Sequence, residues 1–66
     1  MFQAIAMYDR QEVGYGESET AVDAMLECAD SVPSVYPADE VHMCLRKDGV
    51  TVTSNGLSVW REQVAA

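Results

Sequence analysis

Residues 41–53, VHMCLRKDGVTVT, alternate apolar and polar side chains on either side of an Asp48-Gly49 pair. Successive side chains of a strand point to opposite faces, so Val41, Met43 and Leu45 share one face and His42, Cys44 and Arg46 the other. Asp-Gly suits the two left-handed positions of a tight antiparallel hairpin. Beyond it Val50 and Val52 alternate with Thr51 and Thr53, and Asn55-Gly56 repeats the hairpin signal. Leu57, Val59 and Arg61 then alternate with Ser58 and Trp60, which predicts a third adjacent strand.

Such a sheet needs a cover for its apolar face. Val22, Met25, Leu26, Ala29 and Val32 recur at three- and four-residue spacings, predicting one amphipathic helix that Pro33 ends. Ser18 is the expected N-cap, and Thr20 with Asp23 makes a capping-box pattern one step later. Phe2–Tyr8, apolar on both faces, reads as an interior strand, and Glu12–Tyr15 as a short return strand. Ser31–Asp39, with two prolines, is a loop. The expected fold is α+β: a single domain over residues 1–66, with one helix on an antiparallel sheet of about four strands in the order β-α-β-β-β.

A chain of 66 residues has a small core, which supplies about 3–5 kcal/mol of net stability. Its two cysteines, Cys28 and Cys44, are expected as reduced thiols. Met1–Tyr8 is too short for a secretory signal and lacks a basic leading region. No run approaches the roughly 20 apolar residues of a membrane span. A cytoplasmic protein without membrane association is the expectation.

Charge is distributed unevenly. The chain has 11 acidic and 4 basic residues, a net charge of −7. From Asp9 to Glu40 the acids are Asp9, Glu12, Glu17, Glu19, Asp23, Glu27, Asp30, Asp39 and Glu40, against Arg10 alone. That half carries −8 and the remainder +1. Direct binding to nucleic acid, which needs cations to displace counterions from phosphate, is disfavoured. A basic protein surface is favoured.

Glu19, Asp23, Glu27 and Asp30 are spaced four, four and three apart, so they line one helix face, with Glu17 extending the row at its start. The row is either a solvated face or a ladder of carboxylates for a basic groove. No Lys or Arg occurs between Gln11 and Met43, and solvated faces usually mix signs. Tyr36, between two prolines and flanked by Asp39 and Glu40, is an exposed aromatic anchor or a residue folded under its loop. Trp60 either closes one end of the core or stands on the sheet's outer face beside His42 and Cys44 as a dimer contact. His42 and Cys44 lack the orienting partner of a catalytic pair and the further ligands of a zinc site. No phosphate loop or nucleophile motif is present. No enzymatic activity, metal or cofactor is expected.

The short length, the helix on a meander-like sheet and the acidity of Glu17, Glu19, Asp23, Glu27, Asp30, Asp39 and Glu40 together resemble the anti-CRISPR proteins of phages and mobile elements. The nearest are inhibitors of type I systems, type I-C among them. The resemblance spans the whole chain and includes no specific motif. It implies an inhibitor in the host bacterial cytoplasm that binds a subunit of a CRISPR surveillance complex; several such proteins imitate DNA, their carboxylates occupying its Lys/Arg-rich channel, while others bind a subunit without imitating DNA. A monomer is expected over a dimer. Glu17, Glu19, Asp23, Glu27, Asp30, Tyr36, Asp39 and Glu40 would be the partner-binding residues. A different expectation is a small homo-oligomeric or antitoxin-like interaction module without DNA mimicry. It would hold by apolar burial and so be insensitive to salt, whereas a charge-led mimic would not.

Overall fold

The structure is a computed structural model that describes residues 1–65, the side chains of residues 64 and 65 excepted. Two hairpins build the sheet. The first joins β1 (Phe2–Tyr8) to β2 (Gln11–Ser18), and the second joins β3 (His42–Lys47) to β4 (Val50–Gly56). β1 also pairs antiparallel with β3, so the order is β2-β1-β3-β4 and β1 and β3 are the interior strands. Helix α1 (Ala21–Ser31) and helix α2 (Leu57–Ala65) complete the chain. The α+β class and the four-stranded antiparallel sheet are as the sequence predicts.

The order of elements is not; it runs β-β-α-β-β-α. Two local features account for the difference. The return strand expected over Glu12–Tyr15 is a full strand of eight residues. Its turn is Asp9-Arg10, both with positive φ, at 48° and 66°. This is the geometry that Asp48 (53°) and Gly49 (83°) give the second hairpin. Without a glycine, Asp9-Arg10 carries no obvious hairpin signal. At the other end, Asn55-Gly56 ends a strand and opens α2 instead of turning a hairpin. The Leu57 N–H donates to the Val41 carbonyl at 2.8 Å and the Ser58 N–H to the Ala38 carbonyl at 3.2 Å. Loop carbonyls thus satisfy donors that a helix start leaves free. From Arg61 onward Arg, Glu, Gln and Ala are good helix formers, which outweighs the brief alternation before them.

The close packing of α1 on the sheet organises the core. At the centre of the face toward α1, β1 and β2 present Ala4, Ala6, Gly14 and Gly16, with Phe2 and Tyr8 at its ends and Met43 and Leu45 continuing it on β3. A methyl group on Gly16 would stand 2.2 Å from the Ala24 carbonyl and 2.5 Å from the Cys28 nitrogen. One on Gly14 would stand 2.6 Å from a Val32 methyl. The backbones of helix and strand therefore touch, which only glycine permits. Ala24, Met25, Cys28 and Ala29 are the buried residues of α1, with Val32 buried at its C-cap. The predicted apolar stripe is corrected accordingly: Val22 and Leu26 are exposed (63% and 37%), because glycines below favour small residues above.

Of the two starts expected for α1, the later one is observed. Thr20, not Ser18, is the N-cap, and its hydroxyl accepts from the Asp23 N–H at 3.2 Å. Near the far end, the Ser31 hydroxyl accepts from the Tyr15 N–H at 2.8 Å and lies 2.7 Å from the Cys28 carbonyl and 3.2 Å from the Tyr15 carbonyl, to which it can donate. Tyr15 faces Ile5 in the pairing, so these backbone groups point to the outer edge of β2. Ser31 therefore covers an edge that would otherwise be open to another strand.

Gly16→Ala should cost more than about 3 kcal/mol, enough to unfold most of a domain this small. Gly56→Ala, whose added methyl would meet its nearest neighbour at 3.9 Å, should stay within about 0.5 kcal/mol. Urea denaturation followed by circular dichroism measures both. In the same assay Arg10→Gly should raise stability by about 0.5–1 kcal/mol by relieving a left-handed non-glycine residue.

Candidate partner-binding surfaces

The helical residues divide α1 into three sectors at 100° per residue. One sector, Ala24, Cys28 and their neighbours, is pressed on the sheet. A second carries Asp23, Glu27 and Asp30, all exposed, on the solvent side and the flank toward β2. The third carries Val22 and Leu26 on the flank toward β3 and β4. The three helical carboxylates stand as the sequence predicts, along one face with no cation on the helix. Glu19, expected as the first of the helical row, is instead exposed in the turn before the N-cap, because α1 begins at Ala21.

Glu17 is not part of this row. Gly16 faces the helix, so Glu17 beside it points through to the other side of the sheet, where it accepts from the Gln3 amide at 3.1 Å and the Tyr15 hydroxyl at 3.3 Å. Partial desolvation, the Glu17 charge and that hydrogen bond push the Tyr15 phenol above its ordinary value. The helical spacing rule failed because Glu17 belongs to a strand.

Asp39 and Glu40 are exposed in the loop that leads to β3, at the same end of the molecule as the C-terminus of α1. The Glu40 N–H donates to the Pro37 carbonyl at 3.0 Å, closing a turn. Tyr36 is half-buried and its ring centroid lies 5.1 Å from that of Tyr8, tilted by 53°. Of the two expectations for Tyr36, the side chain folded under its loop is the one observed.

The sequence missed an apolar groove of about 220 Å³ between the helices, lined by Ala21, Val22 and Met25 of α1, Leu45 of β3, Thr53 and Asn55 of β4, and Trp60 of α2. It lies beside the acidic sector. Trp60 is half-buried against the core on the helix-bearing side. It does not share a face with His42 and Cys44, because residues 57–65 form a helix. A 3,4-spaced reading of Leu57, Trp60 and Val64 was the available signal for that.

Among the described residues, no helix covers the opposite face of the sheet. Gln3, Ile5 and Met7 of β1, Tyr15 and Glu17 of β2, and His42, Cys44 and Arg46 of β3 stand on it by alternation and register. The His42 Nε2 atom contacts the Ser54 hydroxyl, and the Cys44 sulfur lies 3.8 Å from that hydroxyl. Both cysteines are free, Cys28 buried and Cys44 half-buried. Burial pushes the Cys28 thiol up to about 11. Among the described residues, no group of three or more His, Cys, Asp and Glu side chains converges as a metal site. No helix there is long and apolar enough to cross a membrane.

No protein-family model, curated protein or solved structure matches the chain.

The two thiols should differ in reactivity. A thiol reagent at pH 8 should modify Cys44 in the folded protein and reach Cys28 only in denaturant, as peptide mass spectrometry would show.

Proposed function

We propose that the chain is a protein inhibitor that binds a basic, nucleic-acid-binding surface through the solvent face of α1, imitating the charge of DNA. The observation that carries the proposal is the exposure of Asp23, Glu27 and Asp30 on a helix with no Lys or Arg of its own. Like charges at these spacings repel by a few tenths of a kcal/mol per pair. A row of cations in a partner would remove that repulsion and add charge-assisted hydrogen bonds.

Glu19 before the helix and Asp39 and Glu40 beyond it extend the acidic surface, as Asp30 approaches the loop end. Glu17, on the other side of the sheet, drops from the set, and Tyr36 acts as a support for the loop. The groove beside Val22 and Trp60 takes over the role of apolar anchor, a desolvated contact rimmed by charge. The partner class that fits is the DNA-binding channel of a CRISPR surveillance complex of type I, following the resemblance in size, layout and acidity. The mechanism is competition: carboxylates hold the cations that target DNA would engage.

Binding led by charge weakens with salt. Affinity of the purified chain for a type I surveillance complex should therefore fall steeply with ionic strength. Replacing Asp23, Glu27 and Asp30 with Lys should abolish both complex formation and inhibition of target-DNA binding while the far-UV spectrum stays unchanged. Full inhibition by that folded variant would contradict the proposal.

A further inference from the structure

We infer that the uncovered face of the sheet is a self-association surface, on which a second copy of this chain packs about a two-fold axis parallel to the strands. This stands on a different surface from the acidic helix and does not depend on it. Both helices lie on one side of the sheet, yet on the other side the interior strand β1 carries Ile5 and Met7, half-buried beside Gln3. Ile5 and Met7 lie at the centre of that face, flanked by Tyr15 (45% exposed) on β2 and Cys44 on β3. A second layer of side chains is what such a centre lacks.

Charge selects the occupant and the axis. On this face the acids Glu12 and Glu17 are on β2, and the base Arg46 is two strands away on β3. A two-fold axis parallel to the strands lays β2 over the partner's β4 and β1 over its β3. Residues at one level stay at one level, so Glu17 meets the neighbourhood of Arg46 of the second copy, and Ile5 that of Cys44. The perpendicular axis would lay β2 over β2 and bring Glu17 toward Glu12, which is repulsive. Glu17 is already held in place by Gln3 and Tyr15.

The acidic sectors of α1 then lie on the outermost layers, farther apart than the roughly 10 Å between the two sheets and beyond the ~8 Å screening length. The net charge therefore does not forbid the assembly. Strands of six to eight residues at about 3.4 Å each, four abreast at about 4.8 Å, give a face of roughly 400 Å² per copy. That is about half of the roughly 800 Å² per partner of a standard interface, so association should be weak and reversible.

Sedimentation equilibrium of the intact chain over concentrations from about 10 μM to 1 mM tests this, with amide chemical shifts followed across the same series. The expected result is a dimer forming in the range of about 10–100 μM, with shifts at Ile5, Met7, Tyr15 and Cys44. Glu17→Arg and Arg46→Glu should each weaken it about tenfold, and the double exchange should restore it. Both positions are exposed, and the wild-type shifts need no variant. A monomer at 1 mM would overturn the inference. So would tighter association of Glu17→Arg, or shifts confined to the β4 edge at Val50–Ser54.

Discussion

The structure depends on the contact between the backbone of α1 and the Gly14-x-Gly16 segment of β2. Hydrophobic burial in so small a chain comes from few large side chains; Met43, Leu57, Val41 and Cys28 are the largest that are fully enclosed. Ala4, Ala6, Ala24 and Ala29 contribute little area each. What they permit is proximity, and close-packed backbone gains dispersion contacts that a wider spacing would forfeit. Ser31 ties the same helix to the edge of β2. Helix position, edge protection and core density are thus aspects of a single close approach.

That approach also decides what the surface can offer. A helix seated on glycines and alanines needs only a narrow buried stripe. Its remaining circumference is free for Asp23, Glu27 and Asp30 on one side and Val22 and Leu26 on the other. An acidic ladder bordered by an apolar groove follows from seating, not from any special motif. Because α1 and α2 occupy the same side, the sheet's other face keeps Ile5, Met7 and Tyr15 within reach of solvent. The molecule therefore presents two chemically distinct surfaces, one led by charge and one by apolar area.

Much of this was legible in the sequence where a local rule had no competitor. Asp48-Gly49 between alternating residues placed the β3–β4 hairpin, and Pro33 ended α1 where expected. The acidic positions at 23, 27 and 30 were read correctly because helical spacing is rigid. The rest was decided by context that no local rule carries, much of it distant in sequence. Asp9-Arg10 is a hairpin turn because two good strands flank it. Asn55-Gly56 is not, because the carbonyls of Val41 and Ala38 were positioned to start a helix. Val22 and Leu26 had the right period for the core and lost their places to Ala24 and Cys28. The signal for that exchange was Gly14 and Gly16 on one face of a strand, unreadable until β2 itself was recognised. Glu17 illustrates the consequence: assigned to the helix it joins the ladder, assigned to the strand it leaves through the opposite face.

Native-state hydrogen exchange tests the central role of the helix–glycine contact most directly. If that contact holds the fold together, the amides of residues 24–28 in α1 and the Tyr15 amide bonded to Ser31 should open only with the sheet, at the free energy of global unfolding. Exchange of α1 through a separate, lower-energy opening, while β1 and β3 remain protected, would show that the sheet stands without the helix and would contradict the account.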